Sequence, residues 1–206
     1  MLPFFSIILP TYNRADILEE AVNSVLKQTF FDWELIIVND GSSDNTDEVT
    51  AKLFVIDERI RVYKVSHRGH IAAKNYTLDL ALGDYFTFID SDDRYKPQHL
   101  EIYFSYLKNS GIDLLYGNPE ILGDEFVSDL NNPGKMIHLD KCTVGGTFAV
   151  KRDVFKQYGG FPLIDYGEDS AFFKLLENNN YRLVKTNERT YIYNRTGKNS
   201  ITKKIP

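Results

Sequence analysis

Tyr85-Phe86-Thr87-Phe88-Ile89-Asp90-Ser91-Asp92-Asp93 is the stretch whose reading decides the fold. An unbroken run of aromatic, β-branched and apolar residues leads directly into three carboxylates. Such a run marks a buried strand. Carboxylates at its end are lifted out of the core at the carboxyl edge of a sheet, where open α/β proteins bind ligands. Asp90 and Asp92 stand two apart with only the small Ser91 between them, so in a turn their oxygens can converge on a hard cation that also grips phosphate. Asp and Ser are also ordinary turn residues, so the triplet alone fits a polar turn equally well. The rest of the chain has to decide.

Upstream, Phe4 to Leu9 is a continuous apolar strand stopped at Pro10 and followed by the polar loop Thr11-Tyr12-Asn13-Arg14. Asp16 with Glu19 three residues on resembles a capping box, and Leu18, Ala21, Val22, Val25 and Leu26 recur behind it at helical spacing. Trp33 to Val38 is a second buried strand, ending in Asn39-Asp40-Gly41-Ser42-Ser43-Asp44. A helix through Val49 and Leu53, a strand over Ile60 to Val65, the polar loop Ser66 to His70 and a helix over Ile71 to Ala81 return the chain to the opening strand. Strand and helix in alternation predict a mostly parallel sheet with helices on its faces. Parallel strands place the polar ends Thr11–Arg14, Asn39–Asp44 and Asp90–Asp93 on one edge. That is the geometry of a nucleotide site, yet no glycine-rich phosphate loop is present, which argues against a dinucleotide-binding Rossmann domain and a P-loop NTPase.

The second half is less regular. Pro97 opens a helix with a stripe of Leu100, Tyr103, Phe104 and Leu107, and Ile112 to Tyr116 is a short strand. Asn118 to Lys135 reads as a long connection of the kind that carries function. Gly145 to Val150 is a turn into a strand, Asp153 to Tyr158 a short helix, and Asp165 to Asp169 the start of a helix facing inward through Phe172, Leu175 and Leu176. A strand around Tyr191-Ile192-Tyr193 precedes a basic tail, Lys198 to Lys204.

Length and composition bound the function. The chain of 206 residues is one α/β domain, or one such domain with an elaborated end, with core enough to fold. A net charge of −5 without any Lys/Arg block argues against nucleic acid. One cysteine, Cys142, excludes an internal disulfide framework and a cysteine zinc site, and reads as a small buried apolar residue. His67, His70, His99 and His138 are scattered and suggest no metal. The apolar runs are too short to span a bilayer, and the start lacks the pattern of a cleavable signal, so a cytoplasmic location is expected.

In family terms, the pattern resembles the inverting GT-A glycosyltransferases of the family 2 type, which contains many bacterial polysaccharide and teichoic-acid transferases. The motifs that carry it are Ser6 to Arg14, Val38 to Asp44, Phe88 to Asp93, Gly159-Gly160-Phe161 and Tyr166-Gly167-Glu168-Asp169, in the family's order. Asn118 to Lys141 matches nothing in it. The resemblance implies a GT-A fold, residues 1–117 as the nucleotide-sugar-binding half and 118–206 as the acceptor-side half of the same domain. It also implies transfer of a hexose or N-acetylhexosamine from a nucleotide-diphosphate sugar, UDP-linked by expectation, to a glycan or lipid-linked acceptor. Peripheral association with the inner face of the cell membrane accords with such acceptors.

Residue roles follow from the same resemblance. Asp92 is the expected ligand of Mn²⁺ or Mg²⁺, with Asp90 beside it facing the metal and the donor, and Ser91 between them; Asp93 reads first as a helix-starting residue. Asp40 is the expected base reader and Tyr12 the aromatic that stacks on the base, with Pro10, Thr11 and Arg14 lining the pocket. Arg68 and Lys74 are candidate diphosphate contacts, though isolated positives are commonly solvated surface residues. Inversion needs a general base for the acceptor hydroxyl, and Asp169 is the first candidate, Glu168 the second. Acidic residues at a helix N-terminus also stabilise the helix without any catalytic duty. One departure stands out: where relatives carry a tail histidine, this chain has Asn194-Arg195-Thr196, so the histidine's contact is either absent or replaced by Arg195 or Lys198. Two rivals remain at this stage, a nucleotide-sugar-binding protein without transfer activity and a nucleotidyltransferase. The latter normally has a glycine-rich loop after the first strand, which Pro10 to Arg14 lacks.

Overall fold

The computed structural model describes residues 2–129, 132 and 134–196. β1 (Phe5–Thr11) and β2 (Trp33–Asn39) are buried along their whole length, as apolar runs covered on both faces must be. They pair in parallel, Ile7 opposite Leu35 and Thr11 opposite Asn39. β3 (Ile60–Lys64) and β4 (Tyr85–Phe88) add on either side, also parallel. The intervening helices are α1 (Leu18–Leu26), α2 (Thr46–Ile56) and α3 (His70–Tyr76).

Two local expectations are corrected. The capping box at Asp16 and Glu19 does not form: Ile17 occupies the cap of α1 without a side-chain bond, and Leu18 N bonds the Arg14 carbonyl at 3.0 Å instead. The helix expected to reach Ala81 ends at Tyr76 and tightens into a 3₁₀ turn over Thr77–Asp79, where the Thr77 hydroxyl donates to the Lys74 carbonyl at 2.7 Å.

Beyond β4 come β5 (Arg94–Tyr95), α4 (His99–Leu107), β6 (Leu114–Tyr116), β7 (Glu120–Gly123), β8 (Phe126–Ser128) and β9 (Met136–His138). They are followed by β10 (Ala149–Lys151), α5 (Arg152–Gln157), α6 (Glu168–Asn178), β11 (Leu183–Lys185) and β12 (Tyr191–Arg195). The main sheet has the order β11-β6-β10-β4-β1-β2-β3, and β10 runs antiparallel to both of its neighbours. A small sheet, β5-β12-β7, and the β8-β9 hairpin stand apart from it. The stretch 118–135, expected to be an irregular connection, thus carries β7 and the first strand of a hairpin. These strands are too short to display a period of two.

Alternate residues of the central strands feed two cores. Phe5, Ile7, Leu9, Leu35 and Ile37 pack with Leu18, Val22 and Val25 of α1 and with Leu100 and Tyr103 of α4. Ile8, Ile36, Val38, Phe86 and Phe88 pack on the opposite face with Ile71, Phe155, Phe172 and Leu176. Leu175, expected to face inward, is exposed on α6; the buried stripe there is Phe172 and Leu176. Gly83 sits where a Cβ would lie 2.5 Å from Ser6 N, so the chain entering β4 passes directly against β1. Beneath it, buried Glu34 is satisfied by Ser6 Oγ at 2.7 Å, Leu82 N at 2.6 Å and Arg61 Nη1 at 2.6 Å, as a carboxylate away from water requires.

Candidate active site

β1, β2 and β4 run in parallel, so their carboxyl ends meet at one edge. The loops there are stitched together. Asn13 adopts a left-handed φ of 51°, its Oδ1 accepts from Ser43 N at 2.8 Å, and its own N donates to Ser42 Oγ at 2.9 Å. Asp44 accepts from Ala15 N at 3.2 Å and Thr46 N at 3.0 Å. The loop after β1 is therefore held by the loop after β2.

Between this edge and the second half lies a cavity of about 840 Å³. Pro10, Thr11, Tyr12, Arg14, Asp40, Lys74, Asp90, Ser91, Asp92, Glu168 and Asp169 all line it. Arg68 is not among the lining residues: its side chain is exposed, and it contributes its backbone N, which donates to Asp40 Oδ1 at 2.9 Å. Asp40 is buried, and it also accepts from Gly69 N at 2.8 Å and from His67 Nδ1 at 2.8 Å. This one carboxylate thus fixes the loop after β3. Thr11 Oγ1, on the same wall, is buried without a hydrogen-bond partner.

Lys74 is not a solvated surface lysine. It is buried on α3, with Nζ 2.9 Å from Asp90 Oδ1. Burial opposes its charge, but the carboxylates of Asp90 and then Glu168 outweigh burial and hold the ammonium above its usual range. Asp92 has its carboxyl pushed up by burial and then by the Asp90 charge. Asp93 starts no helix. It is buried, takes the Tyr191 hydroxyl on one oxygen and Asn194 N on the other at 2.8 Å, and straps β12 to the end of β4. Burial, and then the charges of Asp90 and Asp92, push its carboxyl well up.

The description "Glycosyl transferase family 2" belongs to a family model that matches residues 6–159, from the first strand through the acidic triplet to Gly159. The chain belongs to that family. It is 32% identical over 185 residues to the Escherichia coli UDP-Glc:alpha-D-GlcNAc-diphosphoundecaprenol beta-1,3-glucosyltransferase WfgD, covering 87% of this chain and 72% of that one. It is 44% identical over 100 residues to the putative teichuronic acid biosynthesis glycosyltransferase TuaG of Bacillus subtilis, covering 48% of this chain and 40% of the relative. Residues 1–349 of S. aureus TarS, solved in complex with UDP-GlcNAc, share the fold with a TM-score of 0.79 at 21% identity. That match covers 98% of this chain and 61% of TarS 1–349, so the chain spans less than two thirds of that structural relative. The fold is that of the GT-A glycosyltransferases, as expected.

The wall of the cavity opposite the ends of β1 and β2 is built from α6 and the turn before β10. Gly167, with a left-handed φ of 80°, ends the loop before α6 and sets Glu168 and Asp169 in the helix's first turn. Glu168 Oε1 meets His70 Nε2 at 3.1 Å. Burial works against its charge, but the His70 hydrogen bond and the Lys74 ammonium prevail, and its carboxyl is drawn down to about 2. Asp169 accepts from Gly145 N at 2.9 Å and Ser170 N at 2.6 Å. Burial and then the Glu168 charge nevertheless push it up to about 6. Adjacent carboxyls are thus driven in opposite directions by what surrounds them.

Several lining residues escape sequence reasoning: His67, His70, Gly145, Cys142, Phe173 and Tyr193. His67 and His70 had a readable signal, since they follow a strand whose carboxyl end lies on the same edge. Cys142 is half-buried at the cavity wall rather than a core residue, and burial and then the Asp169 charge push its thiol up. Arg195 does not take the tail histidine's place in the cavity. It is buried, with Nη1 donating to the Asp124 and Phe126 carbonyls at 2.6 Å each, and it holds the β8-β9 hairpin against β12. Lys198 lies outside the described residues.

Among the described residues, no three His, Cys, Asp or Glu side chains gather closely enough to hold a metal unaided. Asp90 and Asp92 nevertheless suit a hard cation that completes its shell with phosphate oxygens and water. A dication beside Asp92 would offset the Asp90 charge that, after burial, raises its carboxyl. Among the described residues, no helix is long and apolar enough to cross a membrane.

Proposed function

We propose that this chain is a metal-dependent inverting glycosyltransferase that moves a sugar from a UDP-sugar to a hydroxyl of a glycan or lipid-linked acceptor. The observation that carries the reading is the arrangement of four carboxyls in one cavity. Asp90 and Asp92 lie in the turn after β4, while Asp169, raised to about 6, lies beside Glu168, lowered to about 2. Residues 1–117 supply the donor side. Residues 118–206 supply the acceptor side, although β10 from the second part is built into the main sheet.

Tyr12 offers a ring face to the base and Asp40 an acceptor to its N–H edge. Asp90 is held in place by Lys74, whose ammonium sits where it can also draw a diphosphate. Mn²⁺ or Mg²⁺, bound through Asp92 with Asp90 beside it, would neutralise charge on the departing diphosphate. Asp169 takes the proton of the acceptor hydroxyl as that oxygen attacks the anomeric carbon from the face opposite the leaving group. Glu168 stays ionised, paired with His70 and Lys74, and maintains the charge that keeps Asp169 basic. The name of the E. coli relative, with its UDP-Glc donor and diphosphoundecaprenol-linked acceptor, supports a UDP-sugar and a lipid-linked acceptor here. A cytoplasmic protein meeting its acceptor at the inner membrane face fits that chemistry.

The test is a thermal-shift series with nucleotide sugars, with and without Mn²⁺. A UDP-sugar with Mn²⁺ should raise the melting temperature, since a ligand at 100 times its Kd stabilises by about 2.7 kcal/mol. Asp92→Ala should remove the metal-dependent part of that shift. Metal-dependent UDP affinity that survived Asp92→Ala unchanged would reject Asp92 as the ligand.

A further inference from the structure

Tyr12 already carries a ring. The His67 imidazole lies on it with centroids 3.9 Å apart and planes at 17°, leaving no room for a third ring between them. Its Nδ1 is 2.8 Å from Asp40 Oδ2 and 3.0 Å from the Asp40 carbonyl oxygen. Both partners are acceptors, so Nδ1 carries the proton and donates. A ring face on Tyr12 and an N–H given to Asp40 are the two contacts that the proposed function assigns to the base of the donor.

We propose that His67 is an internal stand-in for the nucleobase, a specificity-determining residue that only a nucleotide with a suitable base displaces. The inference rests on the base-site reading of Tyr12 and Asp40. The backbone around His67 is pinned: Arg68 N and Gly69 N are bonded to Asp40, and a Cβ on Gly41 would lie 2.7 Å from His67 N. The His67 side chain is by contrast half exposed, at 51%, so rotation about its own χ angles releases it while the loop stays in place. Thr11 Oγ1, on the same cavity wall, has no hydrogen-bond partner while the imidazole is in place, and a base edge carries further polar atoms. The exchange acts as a filter. Uracil replaces both of the histidine's contacts, whereas inorganic diphosphate replaces neither.

Calorimetric titration of the wild type and His67→Ala with UDP and with inorganic diphosphate, both with Mn²⁺, tests this. His67→Ala should bind UDP about fivefold tighter, the scale of one lost aromatic contact, and diphosphate unchanged. Imidazole ¹⁵N spectra of the wild type should show the His67 resonances moving on addition of UDP and not of diphosphate. If the wild type binds UDP and His67→Ala binds it equally or more weakly, the stand-in is refuted and the base site survives. UDP binding no tighter than diphosphate in both proteins would refute the base site, and the stand-in with it.

Discussion

At pH 7 Glu168 is ionised by a wide margin, whereas Asp169, with its carboxyl pushed to about 6, still holds a proton in a measurable fraction of molecules. A base near the working pH accepts a proton more readily than an ordinary aspartate. With Asp169 as that base, the rate should rise with pH through about 6 and level off above it. Asp169→Asn should lower kcat by roughly 10²–10⁴-fold and leave UDP affinity unchanged; near-normal turnover would exclude the role. Glu168→Gln removes one of the two forces raising Asp169, so in that variant the pH–rate inflection should move below 6. The sequence places both residues at a helix start, and the family resemblance ranks Asp169 ahead of Glu168. What the sequence does not contain is their environment: His70 and Lys74 reach Glu168 from another element. The burial of Asp93 and Lys74 is not legible in the sequence for the same reason: it depends on what covers a side chain, and Asp93 is covered by Tyr191 and Asn194 from a distant strand.

Among the elements, the central strands were legible because a strand buried on both faces leaves a mostly apolar run, and β1, β2 and β4 do, broken within the run only by Ser6, Glu34 and Thr87. The β8-β9 hairpin was not, since its three-residue strands rely on Arg195 rather than on a pattern of their own. Tertiary packing also explains Gly146. A Cβ there would lie 2.2 Å from Tyr191 Cζ, in the ring whose hydroxyl meets Asp93. Gly146→Ala should therefore displace Tyr191, loosen the strap beneath the acidic triplet and destabilise the fold by roughly 1–3 kcal/mol, the range for overpacking. Urea denaturation measures the loss; an unchanged midpoint would mean that the ring yields freely.

For the whole molecule, acid stability depends in part on His99. It is fully buried between the Tyr95 and Tyr103 rings, with Nδ1 at 2.7 Å from Thr190 Oγ1, and burial pushes it down to about 3. Its folded value lies below its unfolded one, so the unfolded chain binds the extra proton, and stability falls as pH drops from about 6.5 towards 3. Between pH 7 and 5 this single group removes about 2 kcal/mol. His99→Phe should flatten the difference between those pH values by that amount, whatever it does to absolute stability; an identical pH slope in variant and wild type would count against it.

β10 lies between β4 and β6 and pairs with both. During synthesis β4 emerges with β1 ready on one side, but its other edge has no partner until Ala149–Lys151 has left the ribosome. Until then Phe86 and Phe88 belong to an open, apolar strand edge, the kind that recruits foreign strands. The sheet closes late, with the β4 edge open to other strands while the second half of the chain is being made.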